Sequence, residues 1–144
     1  MNPMASQNIA AIGTFLTLVG LLGTFFYVHL TTWLRDLLAL RAKFDVNDGG
    51  NTPSEEQAIR ECRYSLKGLY NYLPALIAVA ISAFIAFVAW NAFDILGPVR
   101  ATDPLAEKLT EALIVFLAIY AALVIYLLIH GYAVGARLRA KLPR

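Results

Sequence analysis

The chain has 144 residues, 59% of them hydrophobic and only 15% charged, with a formal net charge of +2. So apolar a composition lies outside the range of a soluble domain, and so small a net charge gives no sign of nucleic-acid binding. Cys62 is the only cysteine, which excludes an intrachain disulfide and a cysteine-based metal cluster.

Three long apolar runs organise the chain. The first extends from Ile9 to Leu30. At 1.5 Å rise per residue, such a run crosses a hydrocarbon core of about 30 Å as a helix. It differs from a secretory signal: Met1 to Asn8 holds no Lys or Arg, the apolar stretch is too long, and no small-x-small cleavage site follows it. It is expected to be retained as span one. Beyond it, Leu30, Leu34, Leu37, Leu38, Arg41 and Phe44 keep a helical period, which predicts an amphipathic extension. The cluster Asp45-Val46-Asn47-Asp48-Gly49-Gly50-Asn51 is rich in turn formers and ends it.

A second helix then begins with a full start signature: Thr52 as cap, Pro53 at the first helical position and Glu55 three residues after the cap. Glu56 and Arg60 are spaced to pair along it. Arg60, Arg63 and Lys67 form a basic row just before the next apolar run. Such a row either contacts an anionic lipid headgroup or is a solvated marker of the inner side. Pro74 is expected to kink or restart the helix at the start of span two, Leu73 to Leu96. On the far side, Thr102-Asp103-Pro104 resembles another helix start, placing the onset of the third helix well before its apolar run, Ala112 to Val134.

Charge sets the orientation. Six basic residues (Arg35, Arg41, Lys43, Arg60, Arg63, Lys67) lie between spans one and two, and four (Arg137, Arg139, Lys141, Arg144) follow span three. Only Arg100 and Lys108 lie on the other side. Lys and Arg concentrate in cytoplasmic loops, so the N-terminus is expected outside and the C-terminus inside. Tyr27, Trp33, Tyr70, Tyr72 and Tyr132 then fall near the inner interface and Trp90 and Phe93 near the outer one. Tyr120 and Tyr126 lie deeper and need protein partners for their hydroxyls.

Small residues recur on one face of each span. In span one Ala10, Gly13, Thr17, Gly20 and Thr24 follow steps of three and four; in span two Ala75, Ala78, Ser82, Ala86 and Ala89 repeat the device; in span three Ala118 and Ala122 lead to Tyr126 and His130. Small faces let helix backbones approach closely in lipid, where little hydrophobic drive acts between helices. Two uses fit: packing within one chain or between copies, and lining of a water-filled path by Thr17 and Thr24. Asn91 and Asp94, in the last turns of span two, fit either solvated helix-end groups or a cation-attracting outer mouth.

His29 and His130 fall at similar depth near the inner ends of their spans. Interface histidines, a pH-responsive pair and axial haem ligands are the readings open to them. No basic residue stands at a suitable depth for haem propionates, and no cofactor or metal is expected. There is no Ser-His-Asp grouping in the spans, no His-Glu-x-x-His and no Gly-rich phosphate loop, so the chain is not expected to be an enzyme.

The stretch Val19-Gly20-Leu21-Leu22-Gly23-Thr24-Phe25 resembles a Gly-Leu-Leu-Gly-Thr segment of proton-driven motor proteins of the flagellar stator and biopolymer-transport type. Those families include three-span members with the N-terminus outside and a cytoplasmic loop after span one. The likeness covers seven of 144 residues, falls in span one rather than a later span, and is followed by a far shorter loop. The chain is not assigned to them.

The sequence therefore predicts an all-α integral membrane three-helix bundle in a single membrane domain. Its spans are about 9–30, 73–96 and 112–134, with a cytoplasmic helical hairpin over about 31–72 and a basic tail over 135–144. Its expected setting is a bacterial inner membrane, with lipid and identical or other membrane subunits as partners. A homo-oligomeric channel or pore-like assembly is the leading functional expectation. An accessory or anchor subunit of a larger membrane complex, a redox one included, and a small membrane-disrupting effector are the alternatives.

Overall fold

The structure is a computed structural model that describes residues 3–47, 52–101 and 103–142. It contains four helices in chain order: α1 (Pro3–Asn47), α2 (Pro53–Leu69), α3 (Leu73–Arg100) and α4 (Pro104–Lys141). No strand occurs among the described residues. Three helices are long and apolar enough to cross a membrane, as the three apolar runs require.

Local chemistry sets the helix boundaries. At the start of α2 the Glu55 backbone N–H donates to Thr52 Oγ1 at 3.4 Å, and the Thr52 N–H donates to the Glu55 carboxylate at 3.0 Å. This reciprocal box satisfies two donors that a helix start otherwise leaves unpaired. At the other end, the Tyr70 N–H donates to Leu66 O at 2.7 Å. Asn71 then serves both neighbouring helices: its Nδ2 donates to Gly68 O at 2.7 Å and its Oδ1 accepts from Leu73 N at 3.0 Å. Pro74 falls in the first turn of α3, where a missing N–H costs nothing, so the helix restarts there rather than bending. Asp103 starts α4 by accepting the Leu105 N–H at 2.9 Å, with Pro104 as the first helical residue.

Two boundaries differ from expectation. Helix α3 continues past Leu96 to Arg100 and takes in Pro98, which has no N–H to give the carbonyl of Asp94. Of the turn cluster, Asp45 to Asn47 complete α1, and Asp48 to Asn51 lie outside the described residues.

The chain divides into two compact units: Met1–Tyr27 with Ile77–Leu123, and Val28–Leu76 with Val124–Arg144. In the first unit α1, α3 and α4 pack through aliphatic side chains. Ile12, Leu96 and Ala106 form one buried cluster with Leu16 and Leu109 against it. Val19, Ile85 and Val88 form a second, backed by Phe116 and Tyr120. Ala89, Ala92 and Leu113 form a third. These contacts run α1 antiparallel to α3 and alongside α4.

In the second unit α2 returns along the C-terminal part of α1. Lys43 Nζ pairs with Glu61 Oε2 at 2.8 Å, and the Trp33 indole N–H donates to Leu69 O at 2.9 Å. Leu37, Phe44, Cys62, Leu66 and Leu138 are buried there. The extension of α1 is helical, but its inward line is Leu30, Trp33, Leu37, Leu40 and Phe44, and Leu38 faces outward. Over the whole of α1 the inward positions are 12, 16, 19, 23, 26, 30, 33, 37, 40 and 44, alternating steps of four and three. That spacing is the seam of left-handed helix packing.

Candidate functional site

Three features of these units bear on function: an uncovered small face on α1, an aromatic lock, and a basic groove.

The small line of span one lies one residue over from the packing seam, about 100° around the helix axis. Ala10, Gly13, Thr17 and Thr24 are exposed and Gly20 is half-buried. A Cβ placed on Gly13 or on Gly20 meets no atom within 4 Å. The chain thus buries the large-residue line against its own helices and leaves the small-residue line open. The hydroxyls on this face are already engaged: Thr17 donates to Gly13 O at 2.9 Å and Thr24 to Gly20 O at 2.8 Å. Such back-bonding lets threonine stand on an apolar helix face without an unpaired donor. Gly20 also borders a cavity of about 230 Å³ between α1 and α4, with Leu16, Leu113 and Phe116. A Cβ on Gly23, by contrast, would come into ordinary van der Waals contact with the Phe116 and Tyr120 rings, so Gly23 belongs to the seam.

The small residues of the other spans divide. In α3, Ala78 and Ala89 are buried, Ala75 and Ser82 half-buried and Ala86 exposed. The Ser82 and Tyr120 hydroxyls lie 3.4 Å apart, which gives the deep Tyr120 the partner it needs. In α4 the whole line Ala118, Ala122, Tyr126 and His130 faces outward. Tyr126 stacks on His130 with ring centroids 5.7 Å apart.

The second unit is held by rings. Trp33 stands edge-on to Tyr132 at 5.3 Å, and Tyr132 edge-on to Tyr70 at 5.8 Å. Tyr132 Oη donates to Asn71 O at 2.9 Å. Space for this cluster comes from two buried glycines of α4. A Cβ on Gly131 would run into the Trp33 indole, and one on Gly135 into the Tyr70 ring. Trp33, Tyr70 and Tyr132, expected as an interfacial belt, therefore interlock within the protein, whereas Tyr27, Tyr72 and Trp90 are exposed. The two glycines four residues apart, on one face of α4, were the sequence signal for this contact.

Beside the lock, α2 and the end of α4 enclose an open groove of about 920 Å³. Arg63 and Lys67 of the predicted basic row line it, and Arg139 joins them from α4. The Arg139 guanidinium lies 5.9 Å from the centroid of the Tyr70 ring, within cation–π range. Arg60 is not part of the lining; it pairs with Glu56 at 3.8 Å. Other ion pairs of the unit join Arg41 to Asp45 at 3.5 Å, Lys141 to Asp45 at 3.3 Å, and Lys43 to Glu61. The hydrogen bond and charge of Lys43 hold the Glu61 carboxyl below the usual carboxylate range, and Glu61 holds the Lys43 ammonium above its own. Burial pushes the Cys62 thiol up, so its reactive thiolate is scarce at neutral pH.

The remaining predicted positions are not brought together. His29 and His130 are both exposed, and among the described residues no hydrogen bond or ring stacking joins them. Asn91 donates to Phe87 O at 2.7 Å on the exposed side of α3, and Asp94 is exposed one turn further on. No group of three or more His, Cys, Asp or Glu among the described residues is arranged to hold a metal ion. Set against family models, curated proteins and solved structures, the chain matches none of them.

Proposed function

We propose that this is a non-enzymatic, multi-pass membrane protein that assembles from identical copies through the small face of α1 into a channel or pore-like complex. The observation that carries the reading is the uncovered line at Gly13, Thr17, Gly20 and Thr24 beside a fully used packing seam. In lipid, large apolar side chains gain nothing by leaving the hydrocarbon, but small faces gain close backbone contact when a second helix lies on them. In the proposed assembly Thr17 and Thr24 edge the path, with Asp94 near its outer mouth. The N-terminus lies outside and the basic loop and tail inside a bacterial inner membrane, as the ten-to-two distribution of Lys and Arg directs.

The test is the mass of the complex in detergent, followed by conductance after reconstitution. A single closed oligomer with measurable conductance is expected. Gly13→Leu or Gly20→Leu should dissociate it by placing a large side chain where backbones meet, and Thr17→Leu should abolish conductance. A wild-type chain that remains monomeric in detergent and in bilayers refutes the assembly. An oligomer that ignores all three substitutions moves the seam elsewhere.

A further inference from the structure

The basic groove of the second unit has no part in the assembly seam. We propose that it holds the phosphate headgroup of an anionic phospholipid, gripped by Arg63, Lys67 and Arg139. This rests on the helices crossing a bilayer, and it stands whether or not copies associate through α1.

Charge pairing in the unit is the first argument. Asp45, Glu56 and Glu61 are each occupied by other cations: Arg41 and Lys141, Arg60, and Lys43. Among the described residues no carboxylate lies within ion-pair range of Arg63, Lys67 or Arg139, and none lines the groove. Arg63 and Lys67 are one helical turn apart on α2, a spacing at which like charges repel. Arg139 adds a third positive charge from α4. An anion in the groove turns that repulsion into three attractions, and guanidinium groups match phosphate oxygens two at a time.

Position is the second argument. Lys67 and Tyr70 precede Leu73, the first residue of α3, by six and three residues. Arg139 follows Val134, the end of the last apolar run, by five. Lys67 and Arg139 therefore stand within about two helical turns of the ends of apolar runs, the depth at which headgroups lie, and Arg63 stands one turn beyond Lys67 on α2.

Shape and lining select lipid over a free phosphate. A volume of about 920 Å³ far exceeds what one phosphate ion fills. Leu66, Ala136, Ala140 and Leu142 supply an apolar wall beside the cations, suited to the glycerol backbone and first methylenes of a lipid. Tyr70 fixes one guanidinium at the boundary between the two surfaces.

Native mass spectrometry of the full chain, released from micelles carrying phosphatidylglycerol or phosphatidylcholine with the same acyl chains, tests this. The same spectrum counts protein copies, so failure of the lipid site and failure of the assembly read separately. Wild type should retain phosphatidylglycerol in preference to phosphatidylcholine, and each neutralised groove cation should weaken retention about fivefold. R63Q/K67Q/R139Q should bring the two lipids to parity. Arg137→Gln removes an equal charge two residues from Arg139 and outside the groove lining, and should leave the preference intact. Lys67→Gln, at an exposed position, gives the reading by itself if the triple variant does not fold. Equal retention of both lipids by wild type, or equal loss with Arg137→Gln, overturns the proposal. Displacement of the lipid by millimolar glycerol phosphate also overturns it, in favour of a soluble phosphate site.

Discussion

Gly13 and Gly20 in the first unit border empty space, whereas Gly131 and Gly135 in the second are filled by the rings of Trp33 and Tyr70. The same residue type, at helical spacing, thus meets opposite surroundings in the two regions. In the second unit the absent side chain is part of a finished contact: indole, phenol and backbone carbonyls close over it with hydrogen bonds at 2.9 Å. In the first, three helices pack through aliphatic clusters, with the Ser82–Tyr120 contact between them, and the glycine line stays open. A stripe of small residues in a membrane helix therefore carries no address. Whether it is occupied depends on which large side chains reach it.

The sharpest way to break this comparison is to add one methyl group at each site. Gly131→Ala and Gly135→Ala should each destabilise the protein by about 1–3 kcal/mol, the usual cost of overpacking. Thermal melts of the purified chain would show it. Gly13→Ala and Gly20→Ala should leave the isolated chain unharmed, or slightly firmer by the helix preference of alanine, about 0.5–1 kcal/mol. If all four behave alike, the contrast between the regions is wrong.

A smaller effect isolates the hydrogen bond from the packing. Trp33→Phe removes the donor to Leu69 O while keeping a ring near Gly131, and should cost about 1–2 kcal/mol. Loss confined to packing would leave Trp33→Phe near wild type. Smaller again, Thr52→Ala should cost about 1 kcal/mol through the lost capping box at the start of α2. Hydrogen exchange should show the added fraying in the first turn of that helix and not in α3.

The smallest expected effect concerns Lys43 and Glu61, which are both solvent-accessible, so salt screens them. Glu61 has a depressed folded value, so its contribution is present above the ordinary carboxylate range and is lost as pH falls through the depressed value. Lys43 has a raised folded value, so its contribution is complete below the ordinary lysine value and is lost as pH rises through the raised one. A plateau across neutral pH follows. Glu61→Gln should melt slightly below wild type at neutral pH and low salt, and the two should converge in acid or at high ionic strength.

Much of the fold could be read locally. The three apolar runs, the Thr52–Glu55 box, the restart at Pro74 and the start at Asp103-Pro104 need only neighbouring residues, and each appears where those residues require it. What stayed hidden depends on pairing between distant segments. Lines 12-16-19-23 and 13-17-20-24 of α1 are both apolar enough for lipid, so no amphipathic contrast tells which turns inward. The ring contacts could not be read because the glycines that admit Trp33 and Tyr70 lie in α4, far along the chain. The groove was half visible: Arg63 and Lys67 share a helix, but Arg139 reaches them only once α2 and α4 are packed.

The bonds from Thr17 and Thr24 to the carbonyls of Gly13 and Gly20 shape what the outside of α1 can attract. Each hydroxyl has spent its proton on its own helix, and what it turns outward is a methyl group and oxygen lone pairs. A surface furnished in this way is electron-rich and has no hydroxyl protons to give. A water molecule would have to approach hydrogen-first and a bare ion would have to be positive, so the face discriminates by sign before any partner arrives.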